Sequence, residues 1–194
     1  MPSSPPDVLP LPGSFLVATP SLEDPNFHRT VLFILAWAED EGALAVVVNR
    51  PNEVPVETVM HGWEEWAAAP PSLFVGGPVS RDSLICLAHL RPGVGEEFEG
   101  CSPIAGGPLA TLDLHRQPFE VAPAIERLRI YSGYAGWAPG QLEGELEAGG
   151  WLVLDALPGE VFTDAPDALW RAVLRRQGGH VAMYANAPPK LSMN

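Results

Sequence analysis

Three short segments of this 194-residue chain hold residue types that could bind or act on a ligand. Asn49, Arg50 and Pro51 close an apolar run, and a proline pushes the residue before it into extended backbone. Arg50 held that way can present its guanidinium fork to a carboxylate or a phosphate. It can equally pair with one of the 24 acidic residues and fix the loop. Gly76, Gly77 and Pro78 break a second apolar run. Their lack of a Cβ permits special backbone angles or the close approach of another backbone. With no cofactor motif nearby, close packing is the simpler reading. The third segment, YSGYAGWAPGQLEGEL (131–146), leads into an acidic helix. A glycine-rich turn at a helix N-terminus can cradle a phosphate. Against this, Glu143 and Glu145 crowd the first turns and would repel an anion. The glycines at 133, 136 and 140 also miss the dinucleotide spacing. A tight corner in which Tyr134 and Trp137 cover the sheet end is favoured. If the three segments cluster, Asn49, Arg50, Gly76, Gly77, Tyr134, Trp137 and Gln141 would form one ligand site. It would combine a cation, two aromatic faces and an amide, a usual mix for a small molecule.

The common catalytic signatures are absent. There is no G-x-S-x-G, no H-E-x-x-H and no G-x-x-x-x-G-K. His28, His61, His89, His115 and His180 are scattered without ligand spacing, and Asp113 with His115 is too few ligands to specify a metal. Cys86 and His89, three apart in a strand, point to opposite faces. Neither a metal site nor a cofactor is expected, and no catalytic residue is assigned.

Composition narrows the partners. The net charge is −13, and Lys190 is the single lysine beside ten arginines. That leaves no internal lysine for a Schiff base or a P-loop. A strongly acidic chain repels phosphate backbones, so direct nucleic-acid binding is disfavoured. Arg171, Arg175 and Arg176 read as a solvated helix face with cations toward its C-terminus. Two cysteines without C-x-x-C spacing make no disulfide scaffold. The longest apolar stretch, 31–38, is far too short to span a membrane, and residues 1–12 lack the pattern of a signal peptide. A cytoplasmic protein is the expectation.

The elements that must position these residues follow from periodicity and breakers. Residues 1–12, with five prolines, form a stiff lead-in. One mixed α/β domain is expected over 13–179, then a C-terminal tail over 180–194. Residues 13–19 read as a strand, and 30–37 with 43–49 as a hairpin apolar on both faces and so covered on both. Residues 54–70 look helical, 72–79 and 83–90 read as strands, and 103–114 leave room for another. Residues 122–128 suggest a short helix with Pro123 in its first turn. Strand 129–133, a helix from Pro139 and strand 151–156 form a compact βαβ-like unit. On that helix Leu142 and Leu146 face inward while Glu143, Glu145 and Glu147 look outward. Residues 164–179 supply a last helix with Asp164 as N-cap.

FHRTVLFIL, GALAVVVNRP, LFVGGPV and GYAGWAPGQLEGEL follow one another in the order and spacing of the AlgH/YqgE family of bacterial proteins, which the chain resembles from about Gly13 to about Gly179. Ala138 stands where that family usually has glycine, and Thr30 where it has serine. The resemblance implies an α/β fold whose mixed sheet partly closes into a small barrel flanked by helices. It also implies a regulatory role, since such proteins are labelled transcriptional regulators. It supplies no catalytic residues. Three functions therefore stand: a non-enzymatic regulator acting through a small ligand or a protein partner, an enzyme with an unrecognised site at the strand-end loops, and a direct DNA-binding regulator. The first agrees best with the missing motifs and the charge. Trp63 and Trp66 could anchor a partner, though core burial is the simpler reading for both.

Overall fold

Among the described residues ten strands form. The computed structural model describes residues 9–94 and 98–188. In chain order the elements are β1 (Ser14–Ala18), β2 (Val31–Ala38), β3 (Gly42–Val47), β4 (Pro51–Pro55), α1 (Val56–Val59), β5 (Ser72–Val75), β6 (Val79–Leu90), β7 (Cys101–Pro103) and β8 (Leu109–Leu112). They continue with α2 (Pro118–Val121), β9 (Ile125–Trp137), α3 (Gln141–Glu147), β10 (Trp151–Asp155), α4 (Pro158–Val161), α5 (Pro166–Gln177) and α6 (Gly179–Met183). The sheet runs β10-β1-β2-β3-β9-β6-β8-β7, with the β4–β5 pair joined to it by a parallel β5–β9 contact. It curls into a half-barrel.

The hairpin forms as expected, with Leu32 opposite Val47 and Phe33 opposite Val46. Val31 and Phe33 enter the core inside the curl, while Leu32 and Ile34 enter a second core beneath α3. An apolar run without alternation thus reports two covered faces. Inside the curl α5 contributes Leu169, Trp170, Val173 and Leu174, the single apolar stripe of an amphipathic helix. A third core lies on the other side of β6, β8 and β9 and takes in Val56 and Trp63. Trp63 is therefore core, as expected, and Trp66 is half-buried against it.

Several elements differ from expectation. Residues 54–70 are not one helix: Pro55 ends β4, α1 lasts one turn, Gly62 turns at φ +91, and a 3₁₀ turn covers Glu64–Trp66. Residues 122–128 hold a 3₁₀ turn at Ala122–Ala124, after which β9 has already begun. The helix nearby is α2, with Pro118 at its start. The strand expected to stop at 133 runs on to Trp137. β9 and β10 do run in the same sense, but β3, β2 and β1 lie between them, so no compact βαβ unit forms. No side chain caps α5; Pro166 starts it, and the Thr163 hydroxyl accepts from the Ala165 N–H. In the expected tail, α6 packs beside α5 and Ala185 is buried in the core.

The Gly76 and Gly77 pair lies in the seam between β3 and β9. Gly76 donates its N–H to Ser132 O and accepts from the Val47 N–H, both at 2.8 Å. A Cβ on Gly76 would overlap the Gly133 carbonyl oxygen, and one on Gly77 the Tyr134 backbone. The glycines are there for close approach. Gly76→Ala is expected to destabilise the fold by roughly 2–4 kcal/mol in denaturant titration. A loss under about 0.5 kcal/mol would mean that the seam gives way freely.

Candidate functional site

Asn49 and Arg50 leave β3 as a pair of clamps. The buried Asn49 side chain accepts from the Val31 N–H at 2.9 Å and donates to Arg29 O at 3.0 Å, which ties the end of β3 to the start of β2. Arg50 is half-buried and donates to Asn26 O at 2.6 Å, His28 O at 3.1 Å and Pro25 O at 3.3 Å. Its fork is occupied by loop carbonyls rather than by a carboxylate. Burial pushes its pKa down, and the nearby Asp24 carboxylate acts in the opposite direction. The loop it grips carries Phe27, whose ring stacks on Trp137 with centroids 6.1 Å apart. Arg50 and Trp137 are therefore linked through this loop, without sharing a pocket wall.

Along β9, Tyr134 packs on the core inside the curl and Trp137 on the core beneath α3. Residues three apart in a strand face opposite ways, so the two rings line no common floor. Gln141 is exposed at the start of α3, where its side-chain oxygen accepts from the Ala138 N–H at 3.1 Å and its amide donates to Glu145. Gly140 precedes it with φ +76, in the left-handed region that suits glycine. The seven expected residues thus do not converge on one pocket.

Glu143 and Glu145 are the main departure from expectation here. Both are half-buried and accept indole N–H groups: Trp37 to Glu143 at 2.7 Å, and Trp137 and Trp151 to Glu145 Oε2 at 3.0 and 2.8 Å. Glu147 is exposed, as expected. A buried indole N–H needs an acceptor, and a carboxylate on the helix above supplies it.

A cavity does exist, elsewhere. A cleft of about 440 Å³ opens between the β2–β3 hairpin and the β6–β8 pair. Leu35 and Leu44 form one wall; Leu84, Ile85, Leu112 and Leu114 form the other. At one end Asp113 and His115 supply the polar groups: Asp113 Oδ1 accepts from the His115 N–H at 2.9 Å and lies 3.0 Å from His115 Nδ1. The His115 backbone N–H, and then its ring, hold the Asp113 carboxyl below the usual range. Cys86 lies at the back of the cleft, where burial pushes its thiol pKa up, making a poor nucleophile. A second, more polar cleft of about 380 Å³ holds His89, with Nδ1 2.9 Å from Glu126 Oε2, beside Arg91 and the Gly106–Gly107 turn.

Sequence reasoning missed the larger cleft because its walls come from remote segments. Cys86 faces Leu112 across the β6–β8 pair, and only that register brings 84–86 beside 111–115. The D-L-H triplet gave no such signal, because Asp113 and His115 meet in the turn after β8 rather than along a strand.

A family model described as AlgH-like matches residues 15–182. A UPF0301 protein of Mycobacteroides abscessus is 45% identical over 183 residues, 94% of this chain and 87% of that protein. The Streptomyces coelicolor UPF0301 protein SCO2948 is 44% identical over 192 residues, 97% of each. Among solved structures, protein DIP2367 of Corynebacterium diphtheriae superposes with a TM-score of 0.87 at 32% identity, over 92% of this chain and 93% of that one. The solution structure of the AlgH protein of Pseudomonas aeruginosa gives 0.67 at 28% identity, over 98% and 100%. Among the described residues no helix is long and apolar enough to cross a membrane.

Proposed function

The chain belongs to the AlgH-like family, and from that premise we propose that it is a non-enzymatic regulatory protein of the cytoplasm, acting through a small ligand held in the apolar cleft. The observation that carries this reading is the cleft itself. Its volume of about 440 Å³ falls within the roughly 300–1,000 Å³ of small-molecule sites. Its walls are leucine and isoleucine, and its polar groups sit together at one end. An amphipathic molecule fits, with its apolar body between the hairpin and β6 and a hydrogen-bond donor or cation against Asp113. On this reading Asn49, Arg50, Gly76, Gly77, Tyr134, Trp137 and Gln141 serve as the frame that fixes the hairpin rather than as ligand contacts. Any effect on transcription would run through the ligand or a protein partner, since a charge of −13 opposes DNA contact.

The test is thermal unfolding against amphipathic metabolites, nucleotides and metals. A ligand at 100 times its dissociation constant adds about 2.7 kcal/mol, which for a chain of this size raises the midpoint by roughly 5–10 °C. Leu44→Trp, which fills the cleft, should abolish the shift, whereas Arg50→Ala should lower the baseline and keep it. A shift lost in Arg50→Ala and kept in Leu44→Trp would return the site to the strand-end loops. Silence across the panel would favour a protein partner instead. One observation favours an enzyme as second reading: an imidazole and a carboxylate, those of His89 and Glu126, lie 2.9 Å apart in a cleft, the residue types of an acid–base pair.

A further inference from the structure

The segment from α1 to the following 3₁₀ turn carries three metal-ligating side chains that lie outside the cleft, of which only Glu64 is held by the fold, through one oxygen. Val56 and Trp63 anchor it in the core beside β6 and β9. Between them the Met60 N–H donates to Val56 O at 2.8 Å and the Trp63 N–H to Met60 O at 3.1 Å, so the course of the chain is fixed. On its outer side the ligand atoms of Glu57, His61 and Glu64 all lie within 4.8 Å of one another. Glu64 Oε2 accepts from the Gly62 N–H at 2.6 Å, which orients the carboxylate and leaves Oε1 facing His61 Nδ1 at 3.9 Å. That separation is too long for a hydrogen bond. It is close enough for both atoms to reach one ion after a small side-chain rotation.

The charges are unbalanced. Among the described residues no arginine forms an ion pair with Glu57 or Glu64, so two carboxylates converge without a cation between them. Like charges at such a distance repel, and a cation placed among them turns that repulsion into attraction. We infer that Glu57, His61 and Glu64 form a binding site for a divalent transition-metal ion. The imidazole decides its class: nitrogen ligands suit zinc and its neighbours, whereas magnesium and calcium take oxygen alone. Three protein ligands with one position left to solvent is an open zinc arrangement. A bound ion would clamp α1 to the turn after it.

Isothermal titration of the untagged full chain with zinc chloride tests this. One equivalent should bind, at least tenfold more weakly in His61→Ala and in Glu57→Gln, while magnesium gives no comparable heat. Both positions are exposed, and unchanged far-ultraviolet circular dichroism would show each variant folded. His115→Ala, which removes the other exposed imidazole beside a carboxylate, should leave zinc binding intact. No uptake by the wild-type chain, uptake unchanged in His61→Ala, or loss in His115→Ala instead would each overturn the assignment.

Discussion

Arg129→Ala should cost the fold about 3–5 kcal/mol, because it strips buried carbonyls of a charged donor and opens a void in the core. Arg129 is 2% exposed, in the middle of β9, and among the described residues no carboxylate forms an ion pair with it. Its charge is met by carbonyls instead. Nη1 donates to Val161 O at 3.0 Å, and Nη2 donates to Ala69 O at 2.6 Å and Thr163 O at 3.0 Å. The guanidinium lies 4.1 Å above the Phe74 ring, a cation–π contact. Burial pushes its pKa down, the cost of keeping a cation there. One side chain thus fastens the chain before β5 and the connection from α4 to α5 onto the central strand. Alanine would leave three inward-facing carbonyls without donors and a void beside Phe74. Each bond from a charged donor is worth about 1.5–3 kcal/mol, and the terms do not add fully. Arg129→Lys keeps the charge but reaches as a single point, so it should cost less than alanine and more than nothing. The measurement is urea unfolding of both variants, with a midpoint drop on heating of roughly 6–20 °C for alanine. A loss below about 1 kcal/mol would show that water replaces the guanidinium at little cost.

Much of the frame was legible because hydropathy alone determines it. The runs at 31–38 and 43–49 lack alternation, and a strand with that property must be covered twice; the structure sets Phe33 and Leu32 in different cores. The stripe of α5 was legible for the same reason. What hydropathy cannot weigh is demand for hydrogen bonds. Glu143 and Glu145 look like solvent-facing charges on a helix until three indole N–H groups beneath them require acceptors. Local turn signals misled at G-Y-A-G-W, where glycines suggest a loop but strand β9 continues. Pairing with β3, together with the close passage of Gly76 and Gly77, overrides the local preference. The helix expected over 54–70 failed on breakers that were visible, Pro55 and Gly62, against a composition otherwise suited to helix. The cleft was not legible at all. It depends on the register of β6 against β8 and on the curl of the sheet, both of which join residues far apart in sequence.

Glu145→Ala should be the most damaging change on the outer face of the sheet, at about 2–4 kcal/mol. Its Oε2 accepts from both Trp137 and Trp151, and its Oε1 from Gln141 at 3.1 Å. The two indoles meet edge to face at 6.0 Å, and Phe27 packs on both. Trp137 and Trp151 are buried, so their N–H groups have no ready route to water once the carboxylate is gone. Leaving each donor unpaired costs about 1–3 kcal/mol, whereas a surface carboxylate such as Glu147 should be worth no more than about 0.5 kcal/mol. Glu145→Gln separates the two possible causes. Its amide oxygen can accept from both indoles without a charge, so a cost near that of Glu147→Ala would place the effect in the hydrogen bonds. A cost near that of alanine would place it in the negative charge. Tryptophan fluorescence supplies the second reading, because two of the six tryptophans change surroundings in the alanine variant and none does at Glu147. Phe27 belongs to the loop that Arg50 grips, so loosening the indoles should also loosen that loop. Hydrogen exchange at 22–29 should then rise in Glu145→Ala; if it stays at the wild-type rate while stability falls, the helix and the loop are held independently.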